Sequence, residues 1–566
     1  MIISNDQLVQ LVLDSKLVDK DGLEELLQFA KNANLNLDQA ILEKNVMPDE
    51  TLGLMIANFL KIPFVKLSKL VIPEDVFHIV PEKVARKQKV IAYERSEKGI
   101  KLAMANPYNH ELIALVARKT GQPVIPYMAT EKDIYNTFHI YRKELQKNFD
   151  ELIKEEAEKA TSTGAVESEA PISKIVDLLI NFAYQDKVSD IHIEPEEKNS
   201  LVRFRIDGIL HDVLFLSKYL HDRIATRIKV MAKLRTDEHL APQDGKVRVK
   251  VDEEDLDIRI SILPVSQGEK IVMRLLSSRL GKLSLLDLGM SEVDLKKVSK
   301  AYSRSYGMIL STGPTGSGKT SSIYSILKVL NTREKNITTI EDPVEYQIRG
   351  VNQIQVNVKT NLTFAGGLRS ILRQDPNIVF VGEIRDSETA GIAVNAALTG
   401  HLVLSTLHTN DAATTMPRLI DMKVEPFLVA STVNIVIAQR LIRKICENCR
   451  ISYIITEEEL KKNLPEDIIK RHYLSTGDKK EIRLYKGQGC KVCHFTGYAG
   501  RVGLFEVMEI TEKLRTLIVQ KSSADEIRKQ SIVDGMHTML DDGLQKVARG
   551  MTTVEEVLRI TKVDSL

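Results

Sequence analysis

The stretch Gly313-Pro314-Thr315-Gly316-Ser317-Gly318-Lys319-Thr320 constrains this chain more than any other. It fits the pattern G-x-x-x-x-G-K-[ST]. Apolar Met308-Ile309-Leu310 runs straight into it, and Ile323, Ile326, Leu327 and Leu330 follow on one helix face. Strand, glycine-rich turn and helix is the context this pattern requires. The glycines let successive backbone N–H groups point at an anion, and the helix N-terminus adds positive potential. In such a loop Lys319 reaches the β- and γ-phosphates of a nucleotide, and Thr320 places its hydroxyl on Mg²⁺. The loop also needs a sheet behind it. From about 286 to 440, buried strands alternate with helices, which reads as an open parallel α/β sheet.

Two more strands in that region end in acids. Ile337-Thr338-Thr339-Ile340 runs into Glu341-Asp342-Pro343-Val344-Glu345, and Asn377-Ile378-Val379-Phe380-Val381 into Gly382-Glu383. Ligands of open α/β sheets sit beyond the strand carboxyl ends. These carboxylates are therefore expected to converge on Lys319, one supporting Mg²⁺ through water and another orienting an attacking water. His401 and His408 flank a third buried strand, Leu402 to Leu407, with Thr409-Asn410-Asp411 after it. That placement suits sensing of a γ-phosphate; an ordinary core histidine is the competing reading.

The rest of the chain is read around this core. At 566 residues it is long enough for three or four domains. Its 79 Lys+Arg against 77 Asp+Glu leave +2, which does not point to coating nucleic acid or an anionic membrane. With 43% hydrophobic and 28% charged residues, wholesale disorder is excluded. Met1 to Asp6 lacks a basic segment and a small-residue cleavage site, so a signal peptide is not expected. Thr389 to Asn410 carries no Asp, Glu, Lys or Arg, yet its His, Asn, Thr and Ser residues argue against a membrane span. It reads as a buried helix, a turn at Gly400 and a buried strand.

Leu8, Val12, Leu13, Leu17, Val18, Leu23, Leu26 and Leu27 recur 29 residues later as Leu37, Ile41, Leu42, Val46, Met47, Leu52, Met55 and Ile56. The spacing within each copy is helical, so two helical hairpins packed on each other are expected. Pro63 to Tyr141 reads as a small α/β unit, and 146–171, charged and then small and polar, as a linker. Ile172 to Tyr184 is an amphipathic helix. Leu201 to Ile206 followed by Asp207-Gly208 signals a hairpin, and Val247 to Val251 and Leu256 to Ile260 read as further strands. An antiparallel sheet with helices on one face is expected from about 172 to 285.

All four cysteines fall in two pairs, Cys446-x-x-Cys449 and Cys490-x-x-Cys493, with 40 residues between the pairs. Two such knuckles read as a tetrathiolate zinc site. The spacer is longer than in compact zinc ribbons, and redox pairs or reduced core thiols are the alternatives. His494 could stand in for a thiol, but four thiols suffice.

These blocks resemble the secretion ATPase superfamily, the hexameric motors of type II secretion and type IV pili. The Gly313–Thr320 loop is like its Walker A. Ile340 to Glu345 is similar to its Asp box, Val381 to Asp386 to its Walker B, and His401 to Asn410 to its His box. Ser189 to Pro195 and Pro242-Gln243-Asp244-Gly245 resemble the preceding domain. The resemblance implies a RecA-like P-loop core (286–440) after a PAS-like α+β arm (172–285). It also implies an N-terminal helical-repeat and α/β domain (1–145), the linker 146–171, a tetracysteine subdomain (441–510) and C-terminal helices (511–566).

By match, Glu345 is the catalytic glutamate that polarises water and Glu383 the Mg²⁺-supporting Walker B acid. Arg259 and Arg274 match an arginine pair from the arm, and Arg369 and Arg373 a second pair. A planar, always-charged guanidinium stabilises charge on a transferred phosphoryl group; for each, a surface ion pair is the competing reading. ATP, Mg²⁺ and Zn²⁺ are the implied cofactors. The implied setting is a homo-hexamer at the cytoplasmic face of the inner membrane, reached through a platform protein and pilus alignment proteins, without nucleic acid. The tetracysteine subdomain and the N-terminal extension look more like the pilus assembly motor than a retraction motor; type II secretion or DNA uptake is the alternative. The repeat resembles the apolar skeleton of a duplicated cyclic-di-GMP-binding motif. It reads Gln7-Leu8-Val9 and Asn36-Leu37-Asp38 where the motif has Arg-Leu-Gly, and Lys16 and Asn45 at the later Gly. Loss of both arginines implies weak or absent cyclic-di-GMP binding.

Overall fold

The chain is described by a computed structural model. It describes residues 46–70, 72–138, 170–251, 254–277, 283–462, 464–473 and 481–561, the helix 37–43, and residues 3, 5–14, 22–24 and 26–27. Most of the expected linker, and repeat positions Lys16, Leu17, Val18, Asn36 and Asn45, lie outside the described residues. Two compact units emerge. One draws on residues 1–165, 444–500 and 547–553, the other on 166–443, 501–546 and 554–566.

In the first unit most of the described repeat positions are buried as their spacing predicts, though Leu27 is exposed. Helices Asn5–Asp14, Leu37–Glu43 and Asp49–Phe59 bury Leu8, Val12, Leu37, Ile41, Leu52 and Ile56 in one cluster with Leu23, Leu26 and Met47. A second core lies around the three-stranded sheet Val90–Ser96, Gly99–Met104 and Val124–Met128, covered by short helices, which is the expected α/β element. Farther along, Arg450–Thr456 pairs antiparallel with Glu481–Gly487, Ile451 opposite Lys486 and Thr456 opposite Glu481.

The second unit carries two sheets. The arm sheet has six strands in the order Ile209–Ser217, Asn199–Ile206, Asp190–Pro195, Gly268–Ser277, Glu254–Val265, Gln243–Val251, all antiparallel. Asp207 and Gly208 make the expected hairpin turn with positive φ at both residues. Helix Lys218–Met231 starts where Ser217 Oγ accepts the Leu220 N–H, and buries Leu220, His221, Ile224, Ala225, Ile228 and Lys229 in one stripe. A buried ammonium is tolerated only when paired. Lys229 Nζ donates to Glu269 Oε2 at 2.9 Å and to the Glu238 carbonyl at 2.7 Å, which ties the 235–243 loop to the sheet.

The core sheet is seven-stranded: Asn352–Gln355, Ile337–Glu341, Ile378–Val381, Leu402–Leu407, Gly307–Thr312, Val433–Ile445, Tyr498–Glu509. Its central strands Gly307–Thr312, Ile378–Val381 and Leu402–Leu407 are buried on both faces and read as largely apolar runs, as parallel strands covered by helices should. Parallel register aligns their ends: Thr312 lies opposite Leu407 on one side and Ala438 on the other, and Val381 opposite Ser405. The uncharged 389–410 stretch resolves as expected into helix Ser387–Leu398, a positive-φ turn at Gly400 and the strand Leu402–Leu407. No described helix is long and apolar enough to cross a membrane.

The C-terminal helix Val554–Thr561 is pinned to the end of the strand Val433–Ile445 by a charge cluster. Glu556 accepts from Arg443 Nη2 at 2.8 Å, from the Arg443 backbone N–H at 3.0 Å and from Arg559 Nη2 at 2.6 Å. Burial alone would raise its carboxyl; the hydrogen bonds from Arg559 and Arg443 outweigh that and hold it down at about 2. A depressed carboxylate contributes stability above its unfolded value near 4.5, lost as pH falls toward 2. Glu556→Gln is therefore expected to lower stability by about 1–3 kcal/mol at pH 7. Thermal unfolding of both proteins should show the gap narrowing as pH falls from about 4.5 toward 2; a gap independent of pH would contradict the assignment.

Candidate active site and metal centre

The loop Gly313–Thr320 leaves the strand Gly307–Thr312 and enters the helix Lys319–Leu330 at Gly318. Gly313 and Gly318 hold φ of 144° and 89°, where a side chain is strained. A Cβ at Gly313 would lie 2.4 Å from the Gln439 carbonyl oxygen, so that position also has no room. Lys319 is 8% exposed and folds back, its Nζ donating to the carbonyls of Gly313 at 2.8 Å and Pro314 at 3.0 Å. Burial pulls its ammonium down to about 8, partly offset by the nearby Glu383 charge. Phosphate oxygens would supply the missing counter-charge.

Register brings the expected acids to the same edge. Glu383, 9% exposed, sits just past the strand Ile378–Val381. His408 Nε2 lies 3.2 Å from its Oε2, and Arg385 Nε 2.6 Å from the same oxygen. Thr312 and Thr409 share a 2.5 Å hydroxyl contact, and Arg440 Nη2 donates to Asn410 Oδ1 at 3.2 Å, so the 408–411 turn is bonded to the next two strands of the sheet, Gly307–Thr312 and Val433–Ile445. Glu345 lies beyond the Asp342–Pro343 turn. Its Oε2 is 2.9 Å from Arg259 Nη2, which reaches over from the arm strand Glu254–Val265. Arg274 stands directly opposite Arg259 in the arm sheet. Like charges so placed repel; Asp190 answers Arg274 at 2.8 Å, as Glu345 answers Arg259.

Three expectations land elsewhere. Glu341 is turned into the core, where Thr339 Oγ1 donates to it at 2.7 Å, Gln353 Nε2 at 3.1 Å and the Tyr324 hydroxyl also bonds it; burial raises its carboxyl. Its described hydrogen bonds go to these core residues, not to Lys319. His401 lies at the opposite end of its strand from His408, about 20 Å away at strand rise, with its Nδ1 held 3.0 Å from the Ala396 carbonyl. Arg369 pairs with Glu388, and Arg373 donates to the Arg369 carbonyl at 3.0 Å and to Ser370 Oγ at 3.1 Å. These two arginines are directed at their own helix and its neighbour.

The four thiols gather at a second centre. Their sulfurs all lie within 4.8 Å of one another, with Cys446–Cys490 and Cys449–Cys493 at 3.8 Å and Cys490–Cys493 at 3.7 Å. A tetrahedron with zinc–sulfur bonds of about 2.3 Å has edges of about 3.8 Å, so the donor set fits Zn²⁺. The Cys490 and Gly497 N–H groups donate to Cys493 Sγ at 3.1 and 3.3 Å, and Asn448 Nδ2 to Cys490 Sγ at 3.3 Å. Such donors stabilise thiolates bound to a metal. The long spacer is explained by the paired strands Arg450–Thr456 and Glu481–Gly487, which leave from one knuckle and return to the other.

The Type II/IV secretion system protein model matches residues 165–559, and an MshEN domain model matches residues 60–145. The chain belongs to the type II/IV secretion system protein family. It is 36% identical to the type IV pilus assembly ATPase PilB of Myxococcus xanthus over 571 residues, 99% of each chain. It is 46% identical to type II secretion system protein E of Pseudomonas aeruginosa over 396 residues, 70% of this chain and 76% of that relative. The X-ray structure of the Legionella pneumophila ATPase DotB is similar in fold, with a TM-score of 0.51 at 20% identity, covering 69% of this chain and 95% of that one.

Several residues around this family's loop were not singled out by sequence reasoning. Gln439 and Arg440 break the apolar run Ile435–Ala438 at the sheet's carboxyl edge, a polar signal that could have marked them. Arg528 pairs with Asp411, and buried Glu506 accepts the Ala412 N–H at 2.9 Å. Burial pushes Glu506 up to about 7. Both lie some hundred residues from the turn they hold, so only the fold reveals them. For the thiol centre, purified protein is expected to carry about one zinc per chain by metal analysis. Cys449→Ala should lose it with a lower melting temperature, while retention of full zinc occupancy would exclude the tetrathiolate reading.

Proposed function

We propose that the chain is a cytoplasmic ATPase motor that hydrolyses ATP to ADP and phosphate to drive type IV pilus assembly. The observation that carries this is the meeting of Lys319, Glu383 and His408 at the aligned strand ends of a type II/IV secretion system protein. The loop Gly313–Thr320 would hold the phosphates, with Lys319 on the β- and γ-groups. Thr320 and Glu383 would hold Mg²⁺, which neutralises charge on the phosphates when bound. Glu345 would accept a hydrogen bond from the attacking water and orient it. Arg259 already touches Glu345, and Arg274 stands beside it on the next strand. Both would answer charge developing on the transferred group. Arg369, Arg373 and His401 remain as proposed contributors from across a subunit boundary, since their own chain does not bring them to its loop.

In this reading the chain works as a homo-hexamer docked on a membrane platform protein, with pilus alignment proteins as further partners and the tetrathiolate centre holding structural zinc. Full-length similarity to a pilus assembly ATPase, MshEN region included, supports the pilus assignment. The higher identity to type II secretion system protein E, confined to 70% of the chain, supports secretion as the second reading. Gln7 at the first repeat, where the cyclic-di-GMP motif has arginine, supports weak binding of that nucleotide; the MshEN match supports binding, and calorimetry on the full chain separates the two.

Wild-type protein is expected to hydrolyse MgATP and to form a hexamer by mass measurement in ATP. Glu345→Gln should lower kcat by about a hundredfold or more while nucleotide binding and zinc content hold. An active Glu345→Gln enzyme would remove that residue from the mechanism, and an active monomer would sink the hexameric-motor reading.

A further inference from the structure

Behind the loop lies a polar side chain in a place built for apolar ones. The strand Val433–Ile445 runs parallel to the loop's own strand, and its Ala438 is paired with Thr312. Gln439, still within its own strand, therefore lies one residue beyond the end of the loop's strand, level with Gly313. It is 1% exposed. A carboxamide there costs stability unless its polar atoms are used.

Gln439 touches the loop at both ends. Its backbone oxygen would be 2.4 Å from a Cβ at Gly313, where the loop leaves the strand. Its Nε2 would be 2.7 Å from a Cβ at Gly318, where the loop enters the helix. Its Oε1 accepts from Ser322 Oγ, in the first turn of that helix, at 2.6 Å. Ser322 is itself fully buried. Nε2 is buried without a hydrogen-bond partner among the described residues. One residue thus spans the strand exit, the helix entry and the first helical turn, and keeps a donor unspent against the hinge glycine.

We infer that Gln439 is a positioning residue for nucleotide binding. It locks loop and helix into one body, so that the N–H groups of the loop and Lys319 face the same point. It makes no contact with the reacting atoms. The inference rests on the ATPase reading above. Loop geometry serves bound ATP and the transition state alike, so its loss weakens binding more than turnover.

The test uses the full chain. Gln439→Met keeps the volume and removes both polar atoms; Ser322→Ala removes only the partner of Oε1. Gln439→Met is expected to raise KM for MgATP about tenfold with kcat within about twofold, and to weaken MgADP by a similar factor in direct titration. Ser322→Ala should move both constants in the same direction by less. KM and MgADP affinity unchanged in the two variants would overturn the inference, as would a fall in kcat alone or a lowered melting temperature with KM intact. If Gln439→Met does not fold, Ser322→Ala decides by the same criteria. A wild type without ATPase activity would sink the proposed function instead, and the MgADP titrations would still decide the role of Gln439.

Discussion

The parallel register of the core sheet is the constraint on which everything else depends. Because Thr312 is level with Leu407 and Ala438, the chain leaves two neighbouring strands at one height, and the third, Val433–Ile445, passes that height at Gln439. Gly313, His408 and Gln439 are thereby forced to one edge. Val381 opposite Ser405 adds Glu383 to the same line. A one-residue slip in any strand would turn its side chains to the other face and send these groups away from Lys319. The apolar runs fix the register and the site follows from it.

The site then works by keeping charge out of water. Among the described residues Lys319 Nζ hydrogen-bonds to carbonyls alone, so its ammonium is under-compensated until an anion arrives. Glu383 is shared by Arg385 and His408, which ties the acid to the 408–411 turn. That turn is bonded to the C-terminal helices through Asp411 and Arg528. The nucleotide edge is thereby linked to the helix Ala524–Val533. Tyr324, Glu341 and Gln353 form a closed network at the end of the strand Ile337–Glu341, and Tyr324 packs edge-on against Tyr346 and Phe380. This network stiffens the strand that delivers Glu345.

Much of this was legible in the sequence because it is local. The strand–loop–helix around Lys319, the helix–turn–strand from 389 to 407 and the Asp207-Gly208 hairpin each depend on a few neighbouring residues. The two Cys-x-x-Cys pairs were legible because four thiols have few other uses. What was not legible depends on which residues meet across the fold. Glu341 carries the same strand-end signature as Glu383, yet Tyr324 and Gln353 draw it inward, and those partners lie 17 and 12 residues away. His401 and His408 flank one strand symmetrically in sequence, but only the carboxyl end of a parallel strand faces the loop. Gln439, Arg528 and Glu506 act on positions between 94 and 117 residues away, beyond the reach of any periodicity.

The central claim is that the aligned strand ends form one nucleotide–metal site. Anomalous diffraction from the full chain with bound Mn²⁺ and ADP tests it most directly. The account predicts a manganese peak held between the Thr320 hydroxyl and the Glu383 carboxylate, with the diphosphate over Lys319. A peak at Glu341, or a nucleotide bound away from the Gly313–Thr320 loop, would contradict it.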